Sequence, residues 1–446
     1  MLLAASACGT RLDQKEIETA AYGHSTTGGA ARAAGPSSGD AVTADAAGPG
    51  DATSTTVAAA SVAGSTAGGP APKGATAAAA SGAPIVLGQI GTFSGILGAG
   101  LIGFKQSAQA WVASVNAKGG INGHPVKLIS ADDGSDGAKG LAAVKDMVEN
   151  QHVIAFVASS LVYSGQSIHT YLEQHHIPVV GGDVYDQLWH QSPMLFPQAE
   201  FINNLHYATA AGPIQAGKKT FAILTCAEVA ACGAARPYQE SSIKKLGGRV
   251  AYEGQISVAA PDYTAQCVQA HQSGVDVMWV AADGATLSRI ANSCARQNYH
   301  PAFAAAAGTL DANFATNPNL QGFRGATQVF PWFLTSGSPA LQEYGDTMKR
   351  YAPSAGLQAS TAQGWTSGKL FEKAVSTTIK PGEAPTSDAV LRGLWAIHDE
   401  TLGGLTSPIS FVQNGTAVQG DCSFLVAIDQ GKWVAPDGLR LTCGTP

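Results

Sequence analysis

Three groups of residues in this chain have the types and spacing to do chemistry. His169, Glu173 and His176 stand at i, i+4 and i+7 in "SGQSIHTYLEQHH". On a helix they share one face and form a donor set a zinc ion accepts. "GAGLIG" (98–103) fits the dinucleotide pattern G-x-G-x-x-G, with acids at the end of the next β-rich run. Serine chemistry would need G-x-S-x-G, and neither "GTFSG" nor "VYSGQ" fits it.

None of these chemistries carries the chain. In a dinucleotide fold the glycines sit in the turn directly after the strand, but "TFSGIL" intervenes after Gly91. Asp132 lies more than 30 residues beyond Gly98, where the fold places its acid about 20 residues on. His175 and His176 end a helix, where they suit its dipole, and the rest of that surface reads as solvated. No acid/base pair stands out. The expectation is a protein without enzymatic activity, metal or cofactor.

The elements that would position a site are clear from residue 84 onward. "PIVLGQIG" reads as a buried strand. Leu101, Phe104, Ala108, Trp111, Val112 and Val115 then recur at helical spacing. Gly119 and Gly120 stop that helix, "INGHP" turns the chain, and "VKLISADD" is the next strand. Ser135 or Asp136 can cap the following helix. Alternation continues through "VIAFVAS", "IPVVGG", "KKTFAILTC", "RVAYEGQIS" and "VDVMWVAA", with helical segments between. Strands alternating with helices predict an α/β fold with parallel sheets covered on both faces. The last hundred residues add three helices and a hairpin, "CSFLVAIDQGKWV", turned at Gln430-Gly431.

The chain has 446 residues, 45% hydrophobic and 13% charged, with a net charge of −6. That length and apolar share can build two lobes with substantial cores. A negative chain without a basic run is a poor partner for nucleic acid or an anionic membrane. No apolar run reaches the roughly 18–20 residues of a membrane span.

The N-terminus, "MLLAASACGT", sets small residues just before Cys8 and resembles a bacterial lipobox, in which the cysteine is acylated. Residues 1–19 are expected to be a truncated lipoprotein signal and anchor region. Residues 20–83 are almost wholly Ala, Gly, Ser, Thr and Pro. Such a composition predicts a disordered tether spanning roughly 45 Å root-mean-square. The expected location is the outer face of the cell membrane, lipid-anchored. Six further cysteines, an even number without CxxC pairs, suit disulfides in an exported protein. Fifteen pairings are formally open. Proximity in sequence favours Cys226–Cys232, Cys267–Cys294 and Cys422–Cys443.

The succession of strand, "GTFSG" loop, helix ending in "NAKGGINGHPVKL" (116–128), strand ending in "DD", helix and "IPVVGG" resembles the leucine/isoleucine/valine-binding type of extracellular receptor. These are the type I periplasmic substrate-binding proteins of ABC importers. The resemblance implies two Rossmann-like lobes joined by three crossover segments, with a ligand cleft between them. Lobe 1 is expected to be 84–198 with 334–410, and lobe 2 to be 199–333 with 411–446. Crossovers are expected near 197–202, 329–334 and 407–414. The implied function is capture of a small organic molecule and its delivery to ABC permease subunits by a monomer. Readings held beside it are a receptor signalling to a membrane sensor and an exported enzyme.

The resemblance also assigns candidate ligand residues by position. In lobe 1 they are Ser94, then Ser159, Ser160, Tyr163 and Ser164 after "VIAFVA", and Asp183, Val184 and Tyr185 after "IPVVGG". In lobe 2 they are Glu228, Asp283 in "AADGA", and Thr309 in "AAAAGTL". Trp332 and Trp365 are candidates to stack on an apolar ligand body. Amino-acid-binding members grip the α-carboxylate where this chain has Asp183, and pair the ammonium with a glutamate where it has "AAAAGTL". Both departures imply a ligand other than a simple α-amino acid, neutral or cationic with an apolar part.

Overall fold

The computed structural model describes residues 80–446 except 96, 97 and 419. The expectations for Cys8, for 1–19 and for most of 20–83 lie outside the described residues.

Strand β1 (Ile85–Gly91) is buried along nearly its whole length. Helix α1 (Gly98–Ala117) follows and buries Leu101, Phe104, Ala108, Trp111 and Val115. Its end is set by two glycines. Gly120 has φ 77° and its N–H closes onto the Val115 carbonyl at 3.0 Å. A Cβ there would come within 2.1 Å of the His124 carbonyl oxygen, so only glycine fits. Asn122 and Gly123 both have positive φ, and Ile121 and His124 exchange backbone hydrogen bonds across them. This is the Asn-Gly turn of a tight hairpin. It delivers the chain into β2 (Val126–Asp132), in parallel register with β1.

Asp136, not Ser135, caps α2 (Gly137–Glu149), accepting the Ala138 and Lys139 N–H groups. Then come β3 (Ala155–Ser159), α3 (Gly165–Gln174), β4 (Val179–Gly182) and the short β5 (Leu195–Phe196). The five strands form a parallel sheet in the order β2-β1-β3-β4-β5. Helix α3 ends at the two expected histidines: His175 is its C-cap, and His176 takes φ 53°.

The second sheet repeats this order. Helix α4 (Ile202–Gln215) leads to β6 (Thr220–Cys226), α5 (Ala230–Lys245), β7 (Arg249–Ile256), α6 (Thr264–Gln272) and β8 (Val277–Ala281). Then follow α7 (Gly284–Arg296), β9 (Ala302–Ala306) and β10 (Arg324–Thr327). The parallel order β7-β6-β8-β9-β10 mirrors the first sheet. Antiparallel β11 (Cys422–Asp429), β12 (Lys432–Val434) and β13 (Thr442–Cys443) extend it. The β11–β12 hairpin turns at Gln430 and Gly431, both with positive φ.

Between β10 and β11 the chain returns to the first sheet as α8 (Pro339–Tyr351), α9 (Ala359–Val375) and α10 (Ser387–Trp395). Trp111 of α1 meets Phe371 of α9 edge-on at 6.0 Å. The Ser387 hydroxyl donates to the Ile154 carbonyl at 2.8 Å.

Three segments therefore run between the sheets, within 197–201, 328–338 and 396–421. They are tied to one another. Thr406 Oγ1 donates to the Gln198 carbonyl at 2.9 Å, and the Phe330 N–H to the Leu405 carbonyl at 2.8 Å. Gln328 Nε2 donates to the carbonyls of Val184 and Glu200, at 3.1 and 2.9 Å. Disulfides join Cys226 to Cys232, Cys267 to Cys294 and Cys422 to Cys443.

Candidate ligand cleft

A cavity of about 390 Å³ lies where the C-terminal ends of the two parallel sheets face each other. Open α/β sheets bind their ligands at this end. Tyr163 follows β3, Tyr185 follows β4, Glu228 follows β6, Asp283 follows β8 and Thr309 follows β9; all five line the cavity. Of the thirteen residues expected at the site, these are the ones the structure brings together there.

Each arrives with a local reason for its place. Asp283 caps α7, its Oδ1 accepting the Thr286 N–H at 2.9 Å. The Thr309 hydroxyl donates to the Ala282 carbonyl at 2.7 Å, tying the loop after β9 to the loop after β8. Tyr185 OH accepts from Gln363 Nε2 of α9 at 3.0 Å. Burial raises that phenol well above its usual range, so it stays protonated. Glu228 is exposed and accepts from Ser257 Oγ at 2.5 Å and the Val258 N–H at 3.0 Å. The Ser257 bond holds its carboxylate below the usual pKa. Tyr163 is 37% exposed, an aromatic edge at the mouth.

The other expected residues stand elsewhere. Asp183 is buried beneath the cleft, and both its oxygens are occupied: Ser160 Oγ and the Leu161 N–H each donate at 2.9 Å. Ser160 is thereby used up as well. Ser164 donates to Asp133 Oδ2 at 3.0 Å, and Asp133 also holds Thr92 and the Ser135 N–H. Ser159 and Val184 are fully buried. Ser94 is exposed on the loop after β1, against Asp132. Trp332 packs edge-on against Trp433 at 4.8 Å, and Trp365 lies 5.9 Å from Tyr344. Both tryptophans are buried core residues and stand outside the cavity lining.

The zinc-like trio does not converge. His169 Nδ1 turns back to the carbonyl of Gln166 at 3.0 Å, and Glu173 accepts from Ser192 Oγ at 2.6 Å. Among the described residues, one compact group has metal-ligand types: Asp421, Cys422 and Cys443. Its cysteines are disulfide-bonded and not free thiolates.

Several lining residues were not foreseen. Leu101, Ile202, Val229, Val258 and a run of alanines give apolar walls. Asp311 and Asn313 add polar groups on the second-sheet side, and Gln358 and Ser360 on the first. His206 of α4 and Trp279 of β8 meet edge-on at 5.3 Å at the inner wall. Burial lowers His206 to about 4, so its ring is neutral. The described lining thus holds three carboxylates, Glu228, Asp283 and Asp311, and neither lysine nor arginine.

No helix of the described residues is long and apolar enough to cross a membrane. No curated protein matches the chain in sequence. Solved structures do share its fold. A leucine binding protein from Thermotoga maritima is 14% identical, with TM-score 0.67 over 80% of this chain and 99% of that one. A branched chain amino acid ABC transporter protein from Thermus thermophilus, with bound valine, is 13% identical, with TM-score 0.71 over 81% and 97%. An ABC transporter solute binding protein from R. palustris, in complex with benzoate, is 15% identical, with TM-score 0.66 over 81% and 97%. Residues 84–432 match the family model described as periplasmic binding protein. The chain is a member of the periplasmic binding protein family, with the type I fold.

Proposed function

We propose that this protein captures a small neutral or cationic organic molecule with an apolar body and delivers it to an ABC permease. The observation that carries this reading is the cavity of about 390 Å³ between the sheets, apolar in its walls and carrying three carboxylates with neither lysine nor arginine among the described lining residues. A carboxylate ligand there would meet like charge, and a buried unpaired charge costs several kcal/mol. In this reading lobe 1 is 84–198 with 334–410, lobe 2 is 199–333 with 411–446, and the lobes close over the ligand about the three tied crossovers. Fold relatives hold valine and benzoate, which supports a small ligand but does not extend to its identity. Cys8 would carry the lipid and 20–83 the tether; labelled palmitate should then enter the wild type and not Cys8→Ser.

The test is calorimetry with small molecules matched in size and differing in charge. Neutral and cationic members should bind, and Ala282→Trp, which fills the cavity from its wall, should abolish that binding. Micromolar binding of leucine or valine would refute the ligand class. Undiminished binding in Ala282→Trp would refute the site.

A further inference from the structure

Two side chains that line the cavity, His206 and Trp279, are buried and left with unused hydrogen-bonding atoms, and Gln239 stands behind His206. His206 and Trp279 are each 1% exposed, Gln239 of α5 is 0% exposed, and His206 and Trp279 both line the cavity. Nε1 of Trp279 and the ring nitrogens of His206 have no well-formed hydrogen bond. Gln239 Oε1 accepts from Thr209 Oγ1 at 2.7 Å, and the same side chain stands beside His206, close enough to hydrogen-bond its ring. Buried polar groups are nearly always satisfied, and a cluster of unsatisfied ones calls for a missing partner.

The inventory of the cluster states what the partner is. Trp279 offers one N–H, and a neutral His206 offers one donor and one acceptor, one of which Gln239 can engage. The group is donor-rich and uncharged. It suits an oxygen that accepts one or two hydrogen bonds. It does not neutralise an anion, since no cation stands among the described lining residues. We propose that His206 and Trp279, with Gln239 behind His206, receive an uncharged oxygen head, a hydroxyl or carbonyl, at the inner wall of the cleft, with the ligand's apolar body lying outward against the alanine-rich wall. This rests on the reading of the cavity as the ligand site and adds to it the orientation and the head group. Selectivity follows from the cost of leaving the two lining groups empty: a ligand of the same shape without the oxygen forfeits those bonds.

The test uses three probes of one size, benzyl alcohol, toluene and benzoate, titrated into the purified full chain by calorimetry. Benzyl alcohol should bind at least about tenfold more tightly than toluene, the scale of one or two hydrogen bonds in a desolvated site, and more tightly than benzoate. His206→Phe should erase the preference over toluene, and Gln239→Met, which removes the group behind the His206 ring, should reduce it. His206→Phe should not lower the thermal midpoint of the ligand-free protein, because it removes unsatisfied ring nitrogens, whereas a purely structural role would lower it; Gln239→Met also breaks the Thr209 bond and carries no such expectation. The inference is overturned if benzyl alcohol fails to bind at millimolar concentration, if benzoate binds more tightly, or if both variants keep the wild-type preference. Ala282→Trp separates the two levels. Probe binding that survives it removes the cleft reading itself, whereas binding that it blocks but that shows no preference for the alcohol removes only the head-group inference.

Discussion

Ser160 Oγ donates to Asp183 Oδ2 at 2.9 Å, while the Leu161 N–H donates to the other carboxyl oxygen at the same distance. The loops after β3 and β4 are thus joined by one buried acid. Asp183 shapes the floor that presents Tyr163 and Tyr185 rather than meeting the ligand. Asp183→Ala should cost about 2–4 kcal/mol of stability, since it strands a buried hydroxyl and a buried N–H. Asp136→Ala, which removes a helix cap, should cost about 1 kcal/mol. Urea melts of the two variants check the order; equal costs would count against the joint.

Stability should stay level up to about pH 6.5 and fall on the alkaline side. Burial raises Asp183 to about 7 and Glu200 to about 8, and lowers His190 and His206 to about 4. A raised acid binds its proton more tightly in the folded state, so its contribution falls as pH rises from about 4 to the folded pKa. A lowered histidine binds its proton more weakly when folded, so its contribution rises with pH between about 4 and 6.5. The two pairs oppose each other up to about pH 6.5, and only the acids act above it. Thermal or urea melts should show a loss on the order of 2–3 kcal/mol between about pH 6.5 and 8.5. Asp183→Asn and Glu200→Gln should each flatten that slope, and an unchanged slope in the double variant would contradict the assignment.

The three disulfides should differ in what they protect. On the chain-entropy model the 27-residue separation of Cys267–Cys294 and the 21-residue separation of Cys422–Cys443 correspond to roughly 3–4 kcal/mol each. Cys226–Cys232 closes a separation of 6 residues and is worth about 2 kcal/mol, but both its cysteines line the cavity. Replacing the pair 226/232 by alanine should weaken ligand binding more than stability. Replacing 267/294 should do the reverse, as paired melts and titrations would show.

Much of the fold was legible because its signals are local. Gly119 and Gly120 end α1 and Asn122-Gly123 turns the chain for reasons contained in those residues, and neighbouring cysteines paired as proximity suggested. Strands β9 and β10, "AFAAA" and "RGAT", carry no β-branched alternation and hold their place through tertiary pairing. The site was less legible. Position along the chain names the loops at the cleft but not which way each side chain faces, so Tyr185 lines the cavity while Asp183, two residues earlier, lies beneath it. His206, Trp279 and Gln239 sit inside helices and a strand, where sequence alone reads them as packing. The one available hint was polar side chains within otherwise buried stretches such as "INNLHYATAAG".

The central claim, that the cleft holds a neutral or cationic molecule with an apolar body, is tested most directly by mass spectrometry of small molecules released when the purified protein is denatured, with Ala282→Trp purified in parallel. The account predicts a compound of that class from the wild type, near one per chain, and none from the variant. Recovery of leucine, valine or another α-amino acid, or of the same compound in equal amount from Ala282→Trp, would contradict it.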